Sequence, residues 1–241
     1  DDIPFNYVGK GEQCVIKTEL ALAKRNSQNA SIILLEEPEN HVSHTRLNKL
    51  IKCISEQYAE KQILISTHSS FVANKLGLGK VMLLDNLKIT KFSDLSEETY
   101  NFFKKVAGYD TLRMILCKKA ILCEGDSDEL VIQKAYMQLN DGRLPIEDGI
   151  EVISVGVSFL RFLEIADFIQ TKIAVVTDND GDMEAIKKKY KNYMGENQND
   201  YIKICVDNIV DTGTLKIGES GYNYNILEPK LLKVNGMEKL N

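Results

Sequence analysis

Ile121-Leu122-Cys123-Glu124-Gly125-Asp126-Ser127-Asp128 and Val175-Val176-Thr177-Asp178-Asn179-Asp180-Gly181-Asp182 are two apolar runs that each stop abruptly in carboxylates. A buried parallel strand reads as a continuous apolar run, and in open α/β sheets ligands gather beyond the carboxyl ends of such strands. If the two strands are neighbours, Glu124, Asp128, Asp178 and Asp180 converge. Such a cluster is costly without a hard divalent cation or raised carboxyl pKa values, and hard cations take oxygen ligands. The pattern points to metal-dependent chemistry on phosphate.

Around these runs the chain repeats an α/β pattern. Strand candidates Ala120 to Cys123, Ile150 to Ser154, Lys172 to Thr177 and Ile202 to Val206 alternate with helical stretches near Asp128 to Gln138, Phe159 to Ile169 and Met183 to Tyr193. They predict a small doubly wound sheet over residues 119–241. Upstream, Ser31 to Glu36, Gln62 to Ser66 and Val81 to Leu84 read as strands, and Gln13 to Arg25 and Thr45 to Tyr58 as helices. That is a second α/β region over residues 1–93, with a mostly parallel sheet. Residues 94–118, with Ser96 as a helix start and Phe102, Phe103, Val106, Leu112, Ile115 and Leu116 as an apolar face, read as one or two helices joining domains.

Composition bounds the function class. The chain has 241 residues, 44% hydrophobic and 27% charged, and no apolar run is longer than a strand, so a cytoplasmic protein without a membrane partner is expected. Five cysteines, spread singly, favour neither a disulfide framework nor a zinc ribbon. His41 and His44 lack a third ligand for zinc. The net charge of −5 argues against a generally basic nucleic-acid-coating protein but leaves a local groove open. The chain starts at Asp1 without an initiator Met, and its first residues already read like the middle of a fold, so a piece of a longer protein is expected.

The first region carries its own chemistry. Ile32-Ile33-Leu34-Leu35-Glu36-Glu37-Pro38-Glu39-Asn40 is a strand ending in acids, where the first, Glu36, can hold Mg²⁺ and the second, Glu37, can orient an attacking water. Ile63-Leu64-Ile65-Ser66-Thr67-His68-Ser69 ends in a polar cluster whose His68 can reach a γ-phosphate. Val8-Gly9-Lys10-Gly11-Glu12-Gln13 opens a helix with glycines, so backbone N–H groups can meet phosphate.

This order of Gly-x-Gly-x-Gln helix, strand-Glu-Glu-Pro-Glu and strand-Ser-Thr-His-Ser resembles the C-terminal part of an ABC-type ATPase head. The resemblance casts Gly9, Gly11, Gln13, Glu36 and His68 as ATP-binding residues, Glu37 as catalytic and Asn40 to His44 as the D-loop. The Glu-Glu-Pro-Glu form is closer to the RecF and overcoming-lysogenization-defect (OLD) group than to membrane transporters. No G-x-x-x-x-G-K-[ST] loop occurs in the sequence, so this polypeptide alone is not expected to bind ATP well.

The second region resembles the Toprim domain of topoisomerases, DnaG-type primases and OLD nucleases, through Glu124-Gly125, Asp178-x-Asp180 and the strand-Gly-helix element Val152 to Phe159. An ABC-type head followed by a Toprim domain is similar to the OLD family of ATP-dependent nucleases, including the Gabija nuclease subunit, over about Val8 to Leu232. The resemblance implies a Mg²⁺- or Mn²⁺-dependent DNA endonuclease coupled to an ATPase in phage defence or DNA processing. Glu124, Asp178 and Asp180 would be catalytic, and a two-metal site would use Glu124, Asp128, Asp178, Asp180 and Glu228. It also implies DNA as partner, a homo-oligomer formed through the ATPase part, and a helicase-type partner if the chain is Gabija-like. The catalytic lysine of that family is not assignable here among Lys230, Lys233 and Lys239. The alternative is an ATP-gated DNA-binding or scaffold subunit with an inactive Toprim site. Of the remaining residues, Asp126 and Asp182 read as helix caps, and Lys187-Lys188-Lys189-Tyr190-Lys191 as a solvated helix face with phosphate contact as the competing role. Gly221-Tyr222-Asn223-Tyr224 has no assigned task.

Overall fold

The computed structural model describes residues 4–23, 31–57, 61–85, 88–106 and 109–236. It divides into two compact units, Asp1–Ser93 and Asp94–Asn241.

In the first unit, β1 (Ile32–Glu36) and β2 (Gln62–Ser66) run parallel, with Ile33 opposite Ile63 and Glu36 opposite Ser66. Parallel pairing needs a crossover, which α2 (His44–Gln57) supplies. Its apolar residues recur at helical spacing, so one stripe faces the strands: Leu50 and Ile54 pack with Ile33, while Leu47 and Ile51 pack with Val72 of α3 (Ser70–Leu76). The strands alternate, so only one of their faces meets this core; Ile32, Leu34 and Leu64 on the other are exposed. Helix α1 (Lys10–Ala23) lies N-terminal to these elements.

Residues 81–84 do not extend the parallel sheet. Strand β3 (Met82–Asp85) pairs antiparallel with β4 (Lys88–Lys91), a strand with no counterpart in the sequence reading, as a separate two-stranded sheet. A return through so short a connection can form only a hairpin, because a parallel partner requires a crossover of a dozen or more residues.

The second unit is built on a four-stranded, all-parallel sheet in the order β6-β5-β7-β8, flanked by helices. The strands are β5 (Lys119–Cys123), β6 (Ile150–Ser154), β7 (Lys172–Val176) and β8 (Ile202–Cys205). Helix α6 (Asp126–Leu139) connects β5 to β6, α7 (Phe159–Ile169) connects β6 to β7, and α8 (Met183–Lys189) lies between β7 and β8. Leu122, Ile153, Val175, Phe159, Leu163, Ile165 and Ala166 are completely buried. Burying side chains of this size is worth about 1.5–3 kcal/mol each, which fixes strand order and the carboxyl edge where the acids sit.

Residues 94–118 contain α4 (Glu97–Val106) and α5 (Tyr109–Leu116), which pack against α7 and so lie in the second unit. Glu164 on α7 accepts from the Ser96 N–H and the Thr99 hydroxyl, and Arg161 donates to Glu98 at 2.6 Å. On α5, Arg113 donates from Nη2 (2.6 Å) and Nε (3.1 Å) to the same oxygen, Oε2, of Glu151 on β6, and from Nη2 to the Val152 carbonyl at 3.1 Å. The unit closes with a hairpin, β9 (Thr214–Ile217) and β10 (Ser220–Asn223), and α9 (Leu227–Asn235). The helix expected over Met183 to Tyr193 stops at Lys189, because Tyr190 turns fully into the core, edge-on to Phe159 at 6.3 Å.

Candidate functional site

Strands β5 and β7 are direct neighbours, and their register ends with Leu122 opposite Val175. Continuing it one pair at a time sets Glu124 level with Thr177, next to Asp178. Adjacent strands are about 4.8 Å apart, so the two acidic strand ends share one edge.

Asp178 is half-buried there. Burial pushes its carboxyl up to about 6 from the usual 3.8; Asp128, Asp180 and Glu124 add to the rise, and a 3.1 Å bond from the Leu227 N–H opposes it. The other three acids therefore all act on Asp178. Asp128 accepts from the Gly125 N–H at 2.8 Å, one turn into α6, and this corrects the role read for Asp126: Gly125 occupies the cap position, Asp126 is the first helical residue, and the capping carboxylate is Asp128. Asp182 does cap α8, accepting from the Ala185 N–H at 2.9 Å.

The loop after β7 is held by residues that sequence reasoning passed over. Asn179, the middle of Asp178-x-Asp180, is 2% exposed and donates to the carbonyls of Asp207 (2.7 Å) and Ile209 (3.0 Å). Its Oδ1 accepts from the Gly181 N–H, closing an Asx turn that leaves Asp180 exposed and Asp178 partly buried. Asp180 sits at φ 49° and Gly181 at φ 87°, the left-handed conformations such a turn requires. Asn225, 5% exposed, accepts from the Asp211 N–H and donates to the Asp211 carbonyl, both at 2.7 Å, while Asn223 donates to the Asp180 carbonyl at 3.0 Å. The signal for these residues was their type: buried amides serve both hydrogen-bonding senses of a loop backbone at once.

Helix α9 starts on the site. Leu227 donates to Asp178, and exposed Glu228 follows it in the first turn. Lys230 pairs with Asp207 and Lys233 with Asp211, which pulls both aspartates below the usual carboxylate range. These lysines hold the loop after β8 against α9.

The donor set consists of carboxylate oxygens, the ligands of hard divalent cations. Among the described residues no three His, Cys, Asp or Glu side chains stand close enough to ligate one ion. Glu124 and Asp180 are exposed, and Asp128 and Asp178 are partly buried. The Asp178 carboxyl is raised first by burial and then by the neighbouring acids, and the chemistry of this all-oxygen donor set is that of a hard divalent ion.

In the first unit, Glu36, Glu37 and His68 share the carboxyl edge of β1 and β2. Glu37, at φ 42°, donates its N–H to the Ser66 carbonyl at 2.8 Å, and its carboxylate accepts from Asn40 at 2.5 Å and faces the exposed His68 at 3.4 Å. Glu39 binds the Thr67 hydroxyl at 2.5 Å and the His68 N–H at 3.1 Å, joining the two loops. Gly11 packs so closely on the His41 carbonyl that a methyl group there would collide with it. Gln13 turns back to donate to the Val8 carbonyl at 2.7 Å, and Gly9 lies in open space.

Comparison with known proteins fits this division. Residues 115–180 match the model "Overcoming lysogenization defect protein-like, TOPRIM domain". Residues 3–74 match "AAA domain, putative AbiEii toxin, Type IV TA system". No curated protein matches the chain. Among solved structures, one described as "Structural biochemistry of ATP-driven dimerization and DNA stimulated activation of SMC ATPases" is 14% identical, with a TM-score of 0.34, over 45% of this chain and 68% of its own. An ATPase-type domain followed by an OLD-like Toprim domain is the combination found in OLD-family ATPase and Toprim proteins, and this chain carries it.

Proposed function

We propose that the chain is part of a Mg²⁺- or Mn²⁺-dependent DNA endonuclease in which residues 119–241 form the Toprim nuclease and residues 1–93 the C-terminal portion of an ABC-type ATPase. The observation that carries the reading is Asp178, half-buried on the edge shared by β5 and β7, with its carboxyl raised partly by Asp128, Asp180 and Glu124. Glu124, Asp128, Asp178 and Asp180, with Glu228 beside them on α9, would hold the ions. A pair of bound ions supplies water activation and charge neutralisation for in-line phosphodiester displacement. The protein's own part is positional. Asn179 and Asn225 fix the loop that carries Asp178 and Asp180, and Glu124 stands across from them as the carboxylate to take or return a proton.

In the ATPase portion, Glu36 and Glu37 would serve Mg²⁺ and water, His68 the γ-phosphate, and Gly9, Gly11 and Gln13 the signature helix. The phosphate-cradling loop is not in this sequence, so ATP chemistry belongs to the larger assembly, in which ATPase parts pair as a homo-oligomer. A role in phage defence and a helicase-type partner belong to the same reading. Supercoiled plasmid incubated with Mg²⁺ or Mn²⁺ tests the nuclease: wild type should nick and Asp178→Ala should not. Wild type that never nicks, or a variant that nicks equally, replaces this reading with a DNA-binding scaffold.

A further inference from the structure

Helix α8 starts on the acid-bearing loop and ends in Lys187-Lys188-Lys189, with Lys191 just beyond. Between this end and α7 lies an open cleft of about 730 Å³, lined among others by Arg161, Glu164, Lys188, Lys189, Lys191 and Tyr193. Four cations face one acid. Glu164 is committed to Ser96 and Thr99, although burial works against its charge, and its carboxyl stays below the usual range. Arg161 is shared with Glu98 and Thr99. Lys189 holds its ammonium over the Phe159 and Tyr190 rings, at 5.3 and 5.2 Å, which fixes it on the wall without an acid to neutralise it. Among the described residues, Lys188 and Lys191 have no carboxylate partner.

Lysines in a last turn offset the negative end of a helix, which accounts for part of this run. It does not account for Lys191 beyond the helix, nor for the concave surface the lysines share with Arg161. We propose that the cleft between α7 and α8 binds the sugar–phosphate backbone of the DNA strand flanking the cut site, an inference that rests on the nuclease reading above. The acid cluster repels a polyanion, so a nearby cationic hold is needed before a phosphate can settle among the carboxylates. Seven helical residues span about 10 Å, roughly three base-pair steps of duplex axis, so a backbone held in the cleft passes the acid loop within the same helical turn. Lysine ammonium groups grip phosphate as point charges and carry no base information, so the cleft positions DNA of any sequence.

The test is binding of a fluorescent duplex by the whole chain in EDTA across a salt series, for wild type, Lys188→Gln/Lys191→Gln and Lys188→Arg/Lys191→Arg. The glutamine pair should weaken binding about 10-fold at 0.1 M salt and flatten the slope of log K against log salt by nearly 2, at about 0.9 per phosphate contact. The arginine pair should restore both. Unchanged affinity and slope, or wild type that binds no duplex, overturns the proposal. If the glutamine pair melts below wild type, Lys191→Gln alone must flatten the slope by nearly 1, or the proposal fails. Because EDTA removes cleavage from the measurement, cleft-dependent binding without nicking in Mg²⁺ or Mn²⁺ overturns the nuclease reading and leaves the cleft. Nicking with lysine-independent binding overturns the cleft alone.

Discussion

Both units place acids at the carboxyl ends of two adjacent parallel strands, but the two edges treat them in opposite ways. After β1 and β2 the acids have donors: Asn40 serves Glu37, and the Thr67 hydroxyl and His68 N–H serve Glu39. After β5 and β7 only single backbone N–H groups reach Asp128 and Asp178, and Asp128, Asp180 and Glu124 add to the rise of the Asp178 carboxyl. The sheets differ too. The first has two strands and leaves Ile32, Leu34 and Leu64 exposed, whereas the second has four and buries its central strands. Side-chain donors reach the carboxylates of the first edge, whereas at the second edge burial and three neighbouring acids push the Asp178 carboxyl up. The motifs look alike in one dimension, and their hydrogen-bond partners tell them apart.

The strongest attempt to break this contrast is a pair of substitutions read in one plasmid-nicking assay. Asp178→Ala should cost about 10²–10⁴-fold in rate, while Glu37→Gln should leave nicking without ATP within about twofold. Equal losses would make the two edges equivalent. Next is Asn225→Ala, which strips the amide joining both the N–H and the carbonyl of Asp211 from a position 5% exposed. It should destabilise the second unit by about 1–3 kcal/mol in urea unfolding, the range for leaving a buried polar group unmatched. Gly11→Ala drives a methyl group into the His41 carbonyl and should destabilise the first unit by about 1–3 kcal/mol. Hydrogen exchange should localise that loss to residues 4–85 and leave the second unit's protection unchanged.

The smallest effect concerns charge. Asp178 titrates near 6 in the folded chain, above its usual 3.8, so the folded form holds the proton more tightly than the unfolded one. The cost of keeping it ionised is therefore fully present above pH 6 and is relieved as pH falls through 6 towards 4. In EDTA, Asp178→Asn should stabilise the second unit at pH 7.5 by about 1 kcal/mol, the shift being discounted for partial solvent access. That gain should vanish near pH 4. A destabilised asparagine variant at pH 7.5 would mean that burial and the neighbouring acids do not burden the Asp178 carboxylate.

Much of the second unit was legible because a strand buried on both faces must be apolar throughout, and the acids ending Ile121 to Cys123 and Val175 to Val176 marked both boundary and site. What escaped was determined by pairing or by loops. Strand β4 (Lys-Ile-Thr-Lys) and strand β10 (Ser-Gly-Tyr-Asn) are short and carry no sustained alternation, so only their partners make them strands. Asn179 looked like a spacer between aspartates, because nothing local announces that an amide will be buried against carbonyls at 207 and 209. Lys230 and Lys233 could not be assigned for the same reason: their partners, Asp207 and Asp211, come from the loop after β8.

The bond from the Leu227 N–H to Asp178 ties the acidic edge of the sheet to the start of α9. It occupies one lone pair of Oδ2 and leaves the other lone pairs of the carboxylate open. It is also the contact that holds the Asp178 carboxyl down against burial and the neighbouring acids. A shift of α9 that broke it would let that carboxyl rise further, so the seating of a C-terminal helix is felt as proton affinity at the end of a parallel strand.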